Sequence, residues 1–141
     1  MEIIRRNTDY ALRLLIHLAQ RKPGTAVSAH SLSLAELVPL PLTSKLLQKL
    51  HTAGIVGSRM GSTGGFYLKK ESKDISLADV VEVIQGPLNV NKCILDKSAC
   101  PRIPFCPIRK ELLKLQKWIE DFYINTTIDM MAENRQSRRD E

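Results

Sequence analysis

The chain has few aromatic residues, 5% of 141 positions, so aliphatic side chains must build its core. It lacks any apolar run near the ~18–20 residues that a membrane-spanning helix needs. Its opening segment carries Arg5 and Arg6 and leads into a mixed polar helix, not an unbroken apolar signal core. These absences read as a cytoplasmic chain with no membrane partner. Cysteine is sparse and odd in number: Cys93, Cys100 and Cys106 fall within one short segment. Without a secretion signal, that argues against a disulfide framework. No internal repeat, Ser/His/Asp constellation or paired-carboxylate pattern stands out, so nothing points to an enzyme. His17, His30 and His51 lie far apart, show no metal-ligand spacing and read as surface or boundary residues.

Acidic residues are scarce in one half only. Residues 1–70 hold 10 Lys/Arg against 3 Asp/Glu, a balance of +7. Residues 71–141 hold 11 against 12, or −1, which together give the net +6 of the whole chain. A basic half joined to a near-neutral half suggests a polyanion contact made mainly by the first.

What is present is mostly helical periodicity. Residues 8–20 read as a helix with Tyr10, Leu14, Leu15, Leu18 and Ala19 on one face, ended by Lys22-Pro23-Gly24. Ser28 caps a short second helix to about Leu37, with Leu32 and Ala35 inward. Val38-Pro39-Leu40-Pro41 reads as a turn, because two prolines break a helical hydrogen-bond ladder. A third helix follows over residues 42–53, with Leu46, Leu47, Leu50 and Ala53 buried and Gly54 at the left-handed cap. Residues 55–59 and 66–69 flank a glycine-rich turn and read as a β-hairpin. Three helices plus a hairpin predict a winged helix-turn-helix.

Ser76-Leu77-Ala78-Asp79 has the form of a capping box, opening a helix closed by Gly86-Pro87. The cysteine segment, with Pro101, Pro104 and Pro107, lacks periodicity and reads as a loop. From Ile108 onward Leu112, Leu115, Ile119 and Phe122 are spaced 4, 3, 4 and 3, a two-heptad seam. Leu113 and Trp118 add apolar surface beside it. So much apolar surface on one helix predicts a homodimer, the alternative being packing within its own chain. A short terminal helix starts near Thr126. The fold class expected is mainly α with a small β-hairpin: residues 1–70 a DNA-binding winged helix-turn-helix, residues 71–132 a cysteine loop and dimerisation helices, and residues 133–141 a disordered tail.

Two constellations carry chemistry. The third helix would present its N-terminal residues Leu42, Thr43, Ser44 and Lys45, with Lys49 one turn on, to the major groove of double-stranded DNA. Thr43 and Ser44 suit bases or phosphates, and the lysines suit guanine edges or phosphates. Ser28 joins this contact set, as do Ser62 and Thr63 in the wing turn, where Arg59 is the inserting cation. A winged helix that docks a protein instead is the rival reading. A nucleotide-phosphate loop is excluded, since no Gly-Lys-Ser/Thr follows the glycines and no helix opens there. The three cysteines suit Zn²⁺ or an iron–sulfur cluster, one ligand short of four. A redox-active thiol set and three buried cysteines are the alternatives.

Together these residues resemble the Rrf2 family of bacterial transcription regulators across nearly the whole chain. The resemblance is carried by the Thr8-Asp9-Tyr10-Ala11-Leu12-Arg13 start and by Gly64-Gly65-Phe66-Tyr67-Leu68. Residues 75–81, Gly86-Pro87-Leu88, the cysteines and Thr127-Ile128-Asp129-Met130-Met131 complete it. It implies a homodimer on a partly palindromic operator, with long helices crossing at the interface. It further implies that Cys93, Cys100 and Cys106 bind an iron–sulfur cluster, so that nitric oxide, iron or redox state controls DNA affinity, as in a repressor. Arg109 stands where the family's 2Fe–2S members have a histidine ligand. Asp9 matches an aspartate that reaches a 4Fe–4S cluster from the other subunit in nitric-oxide-sensing members, so a 4Fe–4S cluster is favoured over 2Fe–2S. Met60 replaces a wing arginine and Ser44 a base-reading glutamate, so operator preference does not carry over. The alternative is a cluster-free winged-helix protein governed by a protein partner or by thiol redox.

Overall fold

The computed structural model describes residues 2–137. Helix α1 (Arg6–Ala19) is the hub: α2 (Ala29–Glu36), α3 (Leu40–Thr52), α4 (Leu77–Gln85) and α7 (Ile128–Ser137) all pack on it. Its Ala11, Leu14, Leu15 and Leu18 are fully or nearly fully buried, as helical spacing requires of a face in contact on several sides. Strands β1 (Val56–Arg59) and β2 (Gly65–Leu68) form an antiparallel hairpin with Val56 opposite Leu68. A bridge from Val27 to Phe66 ties this wing to the chain just before α2. The one-turn helix α5 (Lys92–Leu95) and a 3-10 turn (Ile103–Phe105) lie within the cysteine segment, which sequence reading took for plain loop. The long helix α6 (Pro107–Asn125) precedes α7.

The expected capping box is present. Ser76 Oγ accepts from the Asp79 amide at 3.1 Å, and Asp79 accepts from the Ser76 amide at 2.8 Å. Residues 75–77 also pair with the start of α7: Leu77 N donates to Thr126 O, and Ile128 N to Ile75 O. The chain's end therefore returns to its middle. One cluster of buried residues runs from Ala11 to Ile128, so the boundary drawn at residue 70 does not divide the core. Residues 133–137 belong to α7, which corrects the disordered tail at that end; residues 138–141 lie outside the described residues.

Two prolines did not delay α3 to residue 42. The helix begins at Leu40 with Pro41 in its first turn, where the missing N–H has no intrahelical partner to lose. Helix α2 ends at Leu37, which takes φ 54° and ψ 44°. The Val38 amide closes this end by donating to Ser33 O, five residues back. A left-handed non-glycine residue carries about 1–2 kcal/mol of steric cost, and Leu37 is 84% exposed, so it recovers little of that by burial. Leu37→Gly should raise stability by about 0.5–1 kcal/mol, after glycine's extra unfolded-state entropy is allowed for. A urea midpoint that rises with unchanged slope would show it; a lower midpoint would mean that the leucine side chain makes a stabilising contact.

Candidate functional site

The helix-turn-helix is locked from inside. Val38 O accepts from both Ser33 Oγ (2.6 Å) and Thr43 Oγ1 (3.3 Å), which pins the turn between α2 and α3. Thr43 is 0% exposed. It cannot meet a base or phosphate, which corrects its place among the contacts. Leu42 is half-buried against the core, so it too points away from the reading face. Ser28 caps α2, accepting from the Ser31 amide (3.1 Å) and donating to Ser31 Oγ (2.9 Å), so its hydroxyl is already engaged.

Ser44, Lys45 and Lys49 are exposed on α3, and Gln48 shares their face one turn from Ser44. Sequence reading missed Gln48, although its spacing from Ser44 placed it there. Both lysines are free of ion pairs among the described residues, so the helix offers cations with no internal partner. In the wing, Ser62 and Thr63 are exposed at the turn. Arg59 is not a projecting cation. Its Nη1 donates to Gly24 O at 2.6 Å and its guanidinium lies 4.6 Å from the Tyr67 ring centroid. It braces the wing against the α1–α2 loop, which corrects its role as the inserting residue. Met60, 98% exposed, occupies the turn instead.

The structure gathers the three cysteines. Cys93 from α5, Cys100 from the turn after it and Cys106 at the start of α6 line one pocket of about 300 Å³, with Ile103, Ile108 and Leu112 as its apolar wall. All three are free thiols and half-buried. Proline at the first position of α6 makes Cys106 its N-cap, and Cys106 Sγ accepts from the Arg109 amide at 3.4 Å. Arg109 Nε donates to Cys93 O at 3.2 Å, so this one residue ties the two ends of the segment. Asp9 lies outside this pocket of its own chain, paired with Arg13 at 2.6 Å.

A mononuclear metal site does not fit. No three His, Cys, Asp or Glu side chains among the described residues stand close enough for a single ion. Thiolates sharing one ion at ~2.3 Å would lie about 4 Å apart. A 4Fe–4S cluster, unlike a single ion, binds each thiolate to a different iron, so its ligands need not meet at one point.

The predicted seam on α6 is rotated. Ile119 is 7% exposed and packs in its own chain's core with Tyr123, and Leu112 is half-buried. Ile119 is therefore no free interface residue, because the inward face of α6 runs through 112, 116, 119 and 123. Ile108, Leu115, Trp118 and Phe122 stay open in one stripe, with Leu113 and Ile124 exposed outside it, and the Trp118 and Phe122 rings stack at 6.1 Å between centroids. Gln116, inside the apolar stripe and without any sequence signal, is buried: it accepts from Val90 N and donates to Leu88 O, clamping the 88–90 segment to α6.

Among the described residues no helix is long and apolar enough to cross a membrane. Residues 4–134 match the family described as "Rrf2: Iron-dependent Transcriptional regulator". A Mycobacterium tuberculosis protein named as an HTH-type transcriptional regulator is 36% identical over 80 residues, 57% of this chain. That match spans half the length of the relative. A second so-named protein, from Aquifex aeolicus, is 29% identical over 121 residues, 84% of this chain and 83% of its own. The fold is that of CymR, the global cysteine regulator of B. subtilis, with TM-score 0.80, 22% identity and 95% and 98% of the two chains covered. It is likewise that of T. potens IscR, with TM-score 0.75, 24% identity and 94% and 87% covered. The chain belongs to the Rrf2 family and has a winged helix-turn-helix fold.

Proposed function

We propose that this regulator is a homodimeric repressor whose affinity for a double-stranded operator is set by an iron–sulfur cluster on Cys93, Cys100 and Cys106. The observation that carries the reading is the convergence of all three thiols on one pocket. Ser44, Lys45, Gln48 and Lys49 are the base and phosphate contacts from α3, with Ser62 and Thr63 from the wing. The open stripe of Ile108, Leu115, Trp118 and Phe122 is the dimer face, since apolar surface of this kind needs a cover. Arg109 supplies no ligand, but its cation offsets the negative charge of thiolates around a cluster. The family resemblance gives the fourth ligand to Asp9 of the partner subunit, which favours 4Fe–4S. The cluster, when bound, contributes a ligation state that nitric oxide, iron supply or redox poise can change. The protein's part is to couple α5 and the start of α6 to the reading heads.

The test is the visible spectrum and iron count of protein purified without oxygen, wild type beside Cys100→Ala. The wild type should carry a broad absorption near 400 nm and about four irons per chain, and the variant should lose both. Absorption that survives in the variant overturns the ligand assignment. Colourless, iron-free wild type favours the second reading, a thiol-redox regulator; one of the similar structures is an oxidised form of S. aureus CymR.

A further inference from the structure

The tip of the wing is chemically unlike the helix beside it. Residues 60–64 read Met-Gly-Ser-Thr-Gly and carry no charge, whereas α3 presents Lys45 and Lys49. The cation next in sequence, Arg59, is held back by Gly24 O and the Tyr67 ring. The tip therefore has no cation with which to clamp phosphates or to follow the negative potential of a narrow groove.

What the tip does present is apolar. Met60 is 98% exposed, so its side chain meets almost nothing in its own chain. Its backbone is nonetheless fixed. The Gly64 amide donates to Gly61 O at 3.0 Å, and a Cβ on Gly64 would strike the backbone of Arg59 and Met60, so the turn closes tightly beside Met60. Nearer its base the hairpin is tied down by the Val27–Phe66 bridge. The exposed hydroxyls of Ser62 and Thr63 can donate to the N3 and O2 acceptors that A·T pairs show in the minor groove. The wing also stands beside the helix-turn-helix: Ser58 Oγ lies 3.3 Å from His51 Nε2 near the end of α3, and Gly65 lies against Val27 and Ser28 at the start of α2.

Proteins that bind the minor groove insert Phe, Leu, Ile, Met or Pro between base steps and kink the duplex. From the braced, uncharged tip we infer that Met60 is a wedge that enters the minor groove beside the α3 site and parts a base step. The inference rests on the proposed seating of α3 on operator DNA. The wing then reads the deformability of the flanking sequence, because pyrimidine–purine steps part readily and stiff A-tracts do not.

Selection of duplexes from a random pool by the full chain, run with and without iron, tests it. The wild type should enrich a core site with a TA or CA/TG step in the flank. Met60→Ala should keep the core and lose that step, and should bind the wild-type selected duplex about fivefold more weakly, since an apolar side chain no longer leaves water. Met60→Leu should keep both core and step. Met60→Arg should move the flank toward A-tracts, whose narrow groove attracts arginine. Because Met60 is so exposed, all of these variants should unfold at the wild-type midpoint. A wild-type flank without such a step, or one unchanged in Met60→Ala around a core that Lys45→Ala loses, overturns the wedge and leaves DNA binding by α3 standing. A wild type that enriches no sequence in either iron state overturns both.

Discussion

Gly65→Ala should cost about 3 kcal/mol of stability and lower the thermal midpoint by roughly 10 °C. Gly65 takes φ 142°, a region side chains avoid. A Cβ there would run into the backbone of Val27 and Ser28. The two hydrogen bonds of the bridge, Val27 N to Phe66 O at 2.9 Å and Phe66 N to Val27 O at 2.8 Å, need that close approach. Two strands alone are marginal, so loss of the bridge should free the wing while the helices persist. Calorimetry would give the midpoint, and amide exchange at Val27 and Phe66 would localise the change. A variant with wild-type midpoint and protection would show that the wing does not depend on the bridge.

Arg135→Ala should destabilise by about 2–4 kcal/mol, because it strips a buried carboxylate of its main cation. Glu36 is 6% exposed, on the helix that precedes the reading helix. Its Oε1 meets Arg135 Nη2 at 2.9 Å and His17 Nδ1 at 2.8 Å, and His17 Nε2 in turn faces Arg21 at 3.0 Å. Arg135 is 30% exposed at its side chain, which moderates the figure below that of a fully buried pair. Replacing both partners, Glu36→Leu with Arg135→Leu, removes the stranded charge and should return stability to within about 1 kcal/mol of wild type. Urea unfolding of the three proteins decides it. If Arg135→Ala unfolds at the wild-type midpoint, the contact between α7 and the helix-turn-helix does not hold in solution.

This clamp also shows where sequence reading stops. Glu36 and Arg135 are 99 positions apart, and nothing local marks them as partners. His17 read as a boundary residue, yet it is the third member of the network.

Elements were legible because their signals are local. Helical spacing gave α1 and α6 to within a few residues, Ser76 and Asp79 announced their capping box, and the glycine-rich turn announced the wing. The winged helix-turn-helix and the grouping of three cysteines followed from patterns within short windows.

Side-chain direction was not legible, because it depends on which surfaces meet. Ile119 belongs to a good heptad, but α4 and the 88–90 segment pack on α6 from one side and turn the helix so that Ile119 faces inward. Thr43 has the chemistry of a DNA contact, yet the turn it follows brings the Val38 carbonyl to it. Arg59 looks free until the loop at Gly24 folds beside it. Local spacing along the chain thus determined which helices and strands form and which residue types are available for DNA and for metal. Only the packing of distant segments decided which of those side chains remain outside to act, because burial and hydrogen-bond partners are properties of surfaces that meet across the fold.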